Sequence, residues 1–150
     1  MLGRLKREEG AQGIVEFALM MPFLFILVFG IIDFGNGLKT YITVNAAARE
    51  AARYASIGNQ GTTSGSFVLC NSGSTNAVVQ KACGTMGALQ ASKASVEVTC
   101  TPSCSSGNSA KIDTKYSYKY ITPIKGLIKL FSGGALSDLN ISASTSMRIE

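Results

Sequence analysis

The chain has 150 residues, of which 46% are apolar and only 15% charged, and it carries a net charge of +5. That is enough for one small domain plus an anchor, and scarce charge with abundant small residues fits a protein that packs helices closely. It has no histidine and no tryptophan, so the commonest general base and the commonest metal ligand are both missing. The four cysteines, Cys70, Cys83, Cys100 and Cys104, all follow the longest apolar run, an even count that suggests disulfides in an oxidising compartment.

The opening MLGRLKREEG places Arg4, Lys6 and Arg7 just ahead of that run. By the positive-inside tendency this end stays in the cytoplasm and the C-terminal bulk is exported, because Glu8 and Glu9 count little in the rule. From Phe17 to Ile32 there is no charge, and Ile14 and Val15 extend the run beyond Glu16. A helix needs roughly 20 such residues to cross a bilayer core of about 30 Å. A cleavable signal peptide fits less well, since the run is followed by Asp33-Phe34-Gly35-Asn36-Gly37 and not by a small-x-small site. Asp33 is expected to face water at the far interface. Pro22, lacking an N–H, is expected to kink the helix.

Glu16 is the unusual residue. A carboxylate in lipid costs at least a few kcal/mol unless something neutralises it. Cutting the leader just before the run would create a positive α-amino group one helical turn away. In an assembly, Glu16 could then pair with the N-terminus of a neighbouring subunit.

GAQGIVEFALMMPFLFILVFGIIDFG followed by NAAAREAARYA resembles the TadE/TadG-like proteins, pilin-like subunits of the Tad (Flp) branch of bacterial type IV pili. The resemblance rests on Glu16-Phe17, the apolar run containing Pro22, the Gly30–Gly35 segment and the stretch from Ala48-Arg49-Glu50 to Ala55. It is dense over residues 10–58, and the ending SASTSMRIE is similar to the family's C-terminal strand. It implies cleavage by a prepilin peptidase with the glutamate fifth in the mature chain. That count makes Gln12 the first mature residue and puts the cut after Ala11. The family more often has glycine before the cut; Gly10 is the nearby candidate, but cutting there leaves Glu16 sixth. The implied partners are the inner membrane, other pilin subunits, the Tad assembly machinery and the prepilin peptidase. Major Flp pilins are much shorter chains, so the resemblance implies a minor subunit or pseudopilin.

Residues 34–57 keep a helical pattern, with Leu38, Tyr41, Ala48, Ala52 and Ala55 recurring at three- and four-residue spacing. Small residues of this kind let helices approach closely. The C-terminal half of this stretch is expected to pack on its own sheet and the N-terminal half on neighbouring helices. Gly58-Asn59-Gln60-Gly61 should end it. The domain division is a leader at 1–11, a transmembrane helix at 12–35, a helical stalk at 36–58 and an exported α+β head at 59–150.

In the head, FVLC (67–70) reads as a short strand and 76–91 as a helix capped by Ser74-Thr75-Asn76. The period then changes to two. SVEVTC, KIDTKYSYKYI and LNISASTSMRI each alternate apolar with polar residues, as in a half-solvated antiparallel sheet. The first two of these strands form a hairpin through TPSCSSGNS. The last two are separated by PIKGLIKLFSGGALS, which suggests a short amphipathic helix. The fold class is therefore α+β, a long N-terminal helix packed on a small antiparallel sheet, which is the pilin plan.

Four cysteines allow three pairings. Cys100–Cys104 would pin the hairpin loop and Cys70–Cys83 would tie the strand end to the second helix. Cys100-Thr-Pro-Ser-Cys104 has one residue too many for a thioredoxin-like motif, and the spacings lack the paired short knuckles of a zinc site. Lys111, Lys115 and Lys119 form a basic row on one strand face. Such a row protects a sheet from edge pairing; its sharper use is contact with DNA, an anionic surface ligand or a neighbouring subunit. Asn140-Ile141-Ser142 matches an N-glycosylation acceptor, a motif short enough to arise by chance. No phosphate loop and no paired carboxylates are evident, so the chain reads as a non-enzyme without cofactor or metal. The rival reading is a bitopic ligand-binding or adhesin protein whose anchor never enters a filament.

Overall fold

The computed structural model describes residues 2–58, 62–133 and 137–150, and within it the side chains of 12–58, 62–126, 128, 129, 133 and 137–150. The element order is α1 (Leu2–Ser56), β1 (Val68–Leu69), α2 (Ala77–Thr85), a single 3-10 turn (Ala91–Lys93), β2 (Ala94–Thr101), β3 (Ser109–Tyr118), α3 (Ile124–Ser132) and β4 (Leu139–Arg148). The fold is α+β, a long apolar N-terminal helix with a four-stranded antiparallel sheet, in the pilin-like arrangement. The chain divides into two compact units: residues 1–35 with 120–137, and residues 36–119 with 138–150.

In the larger unit the sheet order is β1-β2-β3-β4, antiparallel throughout. The short connection 102–108 makes β2 and β3 a hairpin, while α2 and the 3-10 turn fill the long connection from β1 to β2 and α3 the one from β3 to β4. The period-two pattern decides which face is buried. Ala110, Ile112, Thr114, Tyr116 and Tyr118 are inward on β3, while Lys111 and Lys115 are outward. Residue 120, expected on the same face, lies past the strand's end at Tyr118.

The helical residues 36–56 cover the inward face with an alanine seam. Ala47, Ala48, Ala51, Ala52 and Ala55 are buried, together with Val44. Side chains this small let the helix backbone approach the strands, and one contact shows how closely: Thr114 Oγ1 lies 3.2 Å from the carbonyls of both Val44 and Ala143. The hydroxyl has one proton and donates to one of the two at a time. Leu38 and Tyr41, part of the same expected stripe, are exposed.

The helix ends at Ser56, two residues before the expected stop, and Gly58 follows with φ +78°. The Ser56 carbonyl accepts the Glu150 N–H at 2.9 Å, so the chain's last residue fills an orphan acceptor of the helix end. Helix α2 is shorter than the expected 76–91. Asn76 Oδ1 caps it by accepting from Val78 and Val79, as expected. It stops at Thr85 because the chain turns at Gly87, where an added Cβ would stand 3.0 Å from the Gly84 carbonyl oxygen.

Candidate functional site

The N-terminal part of α1 presents a long, exposed apolar surface. Helix α1 runs unbroken through Pro22, although Pro22 offers no N–H to the Ala18 carbonyl. Every side chain from Ile14 to Met21 is exposed. Among the described residues this is the one helix long and apolar enough to cross a membrane. So much contiguous apolar surface is unstable in water and calls for lipid or neighbouring helices. Phe25 and Phe29, one turn apart, stack with centroids 5.7 Å apart.

Near the start of this surface Glu16 is exposed, and its Oε1 accepts from Gln12 Nε2 at 3.3 Å. A neutral amide one turn away is a weak partner for a carboxylate in a low-dielectric setting. Phe17, Met20 and Gly13 flank the carboxylate, and Gly13 leaves a notch, since a Cβ there would meet nothing within 4 Å. The side chains of Gly10 and Ala11, the expected cleavage-site residues, lie outside the described ones; their backbone is part of α1.

The other end of the run corrects the sequence reading. Asp33 does not face water: it is only 4% exposed. Its Oδ1 accepts the N–H of Ile121 at 2.9 Å and of Thr122 at 3.3 Å, and its Oδ2 accepts the Thr122 hydroxyl. Three donors converging on one carboxylate repay its desolvation. The partners are 88 and 89 residues away along the chain, a separation at which no spacing rule links them.

In the larger unit two disulfides are present, Cys70–Cys83 with Cα atoms 5.4 Å apart and Cys100–Cys104 with Cα atoms 5.0 Å apart. The first joins the residue after β1 to α2, and the second closes the start of the β2–β3 connection. Glu50 on α1 holds Arg53 at 3.3 Å and Lys81 of α2 at 3.2 Å. These partners, the Arg53 hydrogen bond first, keep the Glu50 carboxyl below its ordinary value of 4.5.

The basic row is a face of mixed sign. Lys111 Nζ pairs with Asp113 Oδ2 at 3.0 Å, and Lys115 Nζ sits 3.7 Å from the centroid of the Phe67 ring. Glu97 lies opposite Asp113 in the β2–β3 register, between the lysines. Lys119 is exposed and lies past the end of β3. Among the described residues no group of three or more His, Cys, Asp or Glu side chains is placed to hold a metal ion.

No curated protein and no solved structure matches the chain. Residues 11–53 do match a family model, described as TadE-like protein. The matched segment holds Gln12, Glu16, Phe17, Pro22, Asp33 and most of the alanine seam. Over residues 11–53 the chain is similar to the TadE-like proteins.

Proposed function

We propose that this protein is a pilin-like structural subunit of a Tad-type pilus or a related secretion machine, in a minor-pilin or pseudopilin role. A prepilin peptidase removes the leader, and residues 12–35 hold the subunit in the inner membrane with its head on the far side. The same helix then packs among other subunits. The observation that carries this reading is Glu16: an exposed carboxylate on an otherwise apolar helix, held within the chain by a neutral amide alone among the described contacts. A neighbouring subunit's new α-amino group supplies the positive partner that is missing from the described contacts of Glu16. Length agrees with membrane residence, since residues 12–32 of a helix rise about 30 Å at 1.5 Å each, the thickness of a bilayer core. The disulfides agree with an oxidising compartment for the head.

Mass spectrometry of protein from the native host tests this. The mature N-terminus should be Gln12 or Ala11, and the protein should appear in sheared pilus fractions. Glu16→Ala should abolish that appearance while membrane insertion survives. An intact leader, with the protein confined to the membrane, would establish the bitopic binding-protein reading instead.

A further inference from the structure

Residues 120–133 share a compact unit with the apolar half of α1. Asp33, the first residue past the run Phe17–Ile32, grips the backbone of Ile121 and Thr122. One turn further along, Ile124 is 8% exposed, and its Cδ1 lies 3.8 Å from where a Cβ on Gly30 would stand. Gly30 is about 4.5 Å inside the run from Asp33, at 1.5 Å per residue. Helix α3 therefore begins level with the last turn of the apolar run.

Its sequence suits that level. At 100° per residue, positions 124 and 128 of IKGLIKLFS share an apolar arc, and Lys125 and Lys129 fall beside one another on the adjoining arc. No acid occurs between Tyr120 and Gly133. Ile121 is 70% exposed although its own N–H is anchored. Lys125 Nζ stands 5.2 Å from the Tyr120 ring centroid, and Lys129 is exposed. A short basic amphipathic helix beside the end of an apolar span has the composition of an element lying in the headgroup layer.

We propose that α3 is a membrane-surface helix that binds anionic phospholipid. Lys125 and Lys129 contact headgroup phosphates and Ile121 sits among the first acyl carbons, with Asp33 as the positioning residue that holds the segment there. The proposal rests on the reading that α1 spans the bilayer.

The chain has no tryptophan, so one introduced indole reports alone. Ile121→Trp and, separately, Phe25→Trp are made in the full chain. Each is reconstituted into vesicles of phosphatidylethanolamine and phosphatidylglycerol, with and without brominated acyl chains, and N-acetyltryptophanamide serves as the aqueous standard. Phe25→Trp should be quenched by deep bromines. Ile121→Trp should be quenched by bromines near the headgroups and protected from iodide. Replacing phosphatidylglycerol, or combining Lys125→Glu with Lys129→Glu, should lower the docked fraction of Ile121→Trp about fivefold per lysine. An indole at 121 that behaves like the aqueous standard while the one at 25 is quenched overturns the α3 proposal and leaves the span intact. An unquenched indole at 25 overturns both. Quenching at 121 that ignores lipid charge and both lysine variants overturns the assignment to anionic lipid.

Discussion

Asp33→Leu is expected to release the 120–133 segment without unfolding the sheet. The carboxylate receives two backbone N–H groups, at 2.9 and 3.3 Å, and the Thr122 hydroxyl. A hydrogen bond to a charged group is worth roughly 1.5–3 kcal/mol net. The three do not add, because the longer N–H bond is weaker and the Thr122 hydroxyl can turn to water once freed. A loss of about 2–4 kcal/mol in the local opening free energy follows. At 1.4 kcal/mol per tenfold, that is a fall of roughly two orders of magnitude in amide protection. Hydrogen exchange of the full chain in micelles, read at Ile121 and Thr122, measures it. Asp33→Asn keeps an acceptor at Oδ1 but loses the charge, so it should fall between wild type and Asp33→Leu. Amides of β2 and β3, such as Val98 and Ile112, should be unchanged in both variants. Unchanged exchange at 121 and 122 in Asp33→Leu, or an Asn variant as loose as the Leu one, would refute the claim that this carboxylate holds the segment.

The two disulfides should differ in worth according to the chain they close. Sequence separations of 13 and 4 give losses of about 3 kcal/mol for Cys70→Ser/Cys83→Ser and about 2 kcal/mol for Cys100→Ser/Cys104→Ser on the loop-entropy estimate, read as urea unfolding of the sheet; the reverse order would contradict it. Glu50 should make the sheet unit acid-sensitive. Its carboxyl lies lower folded than unfolded, so its contribution is present above the unfolded value and fades as pH falls through the folded one. Lys81→Met should move the Glu50 titration, followed by carboxyl NMR, up towards 4.5, and no movement would remove Lys81 as a cause.

What was legible in the sequence was periodic. The two-residue alternation from Ile112 to Tyr118 set the buried face of β3, and the three-and-four spacing of Ala48, Ala52 and Ala55 marked the seam that meets it. Such patterns are written locally, because each residue's burial depends on its place in its own element. The contacts that close the structure are not local. Asp33 with Thr122, and Glu150 with Ser56, join residues far apart through backbone groups, which carry no side-chain signature. The shortness of α2 had a visible cause in Gly84 and Gly87. Its stopping point depended on a backbone approach at Gly87 that composition does not encode. The lysine row was legible as three residues four apart on the face that also carries Asp113, but the register that sets Glu97 beside them was not.

The two acids that bracket the apolar run have opposite fates, and the contrast bears on the proposed pilin-like role. Asp33 is buried and satisfied by three donors from its own chain, so that end is complete in a single molecule. Glu16 is exposed, and among the described residues its one donor is the neutral Gln12 Nε2. A charge left this way in lipid raises the free energy of the lone subunit by a few kcal/mol. Packing beside a cationic partner removes that penalty, so the differential favours the assembled state over the dispersed one. The Asp33 carboxylate adds little to that difference, because its partners are already supplied within the chain. The residues beyond it, Leu38, Tyr41 and Ile42, remain exposed on the helix and extend the apolar surface past the run. In the proposed role, the electrostatic drive to assemble therefore sits at the Glu16 end and the apolar drive runs along the helix. Phe17→Ala, which removes apolar area but no charge, belongs to the second term, and Glu16→Ala to the first.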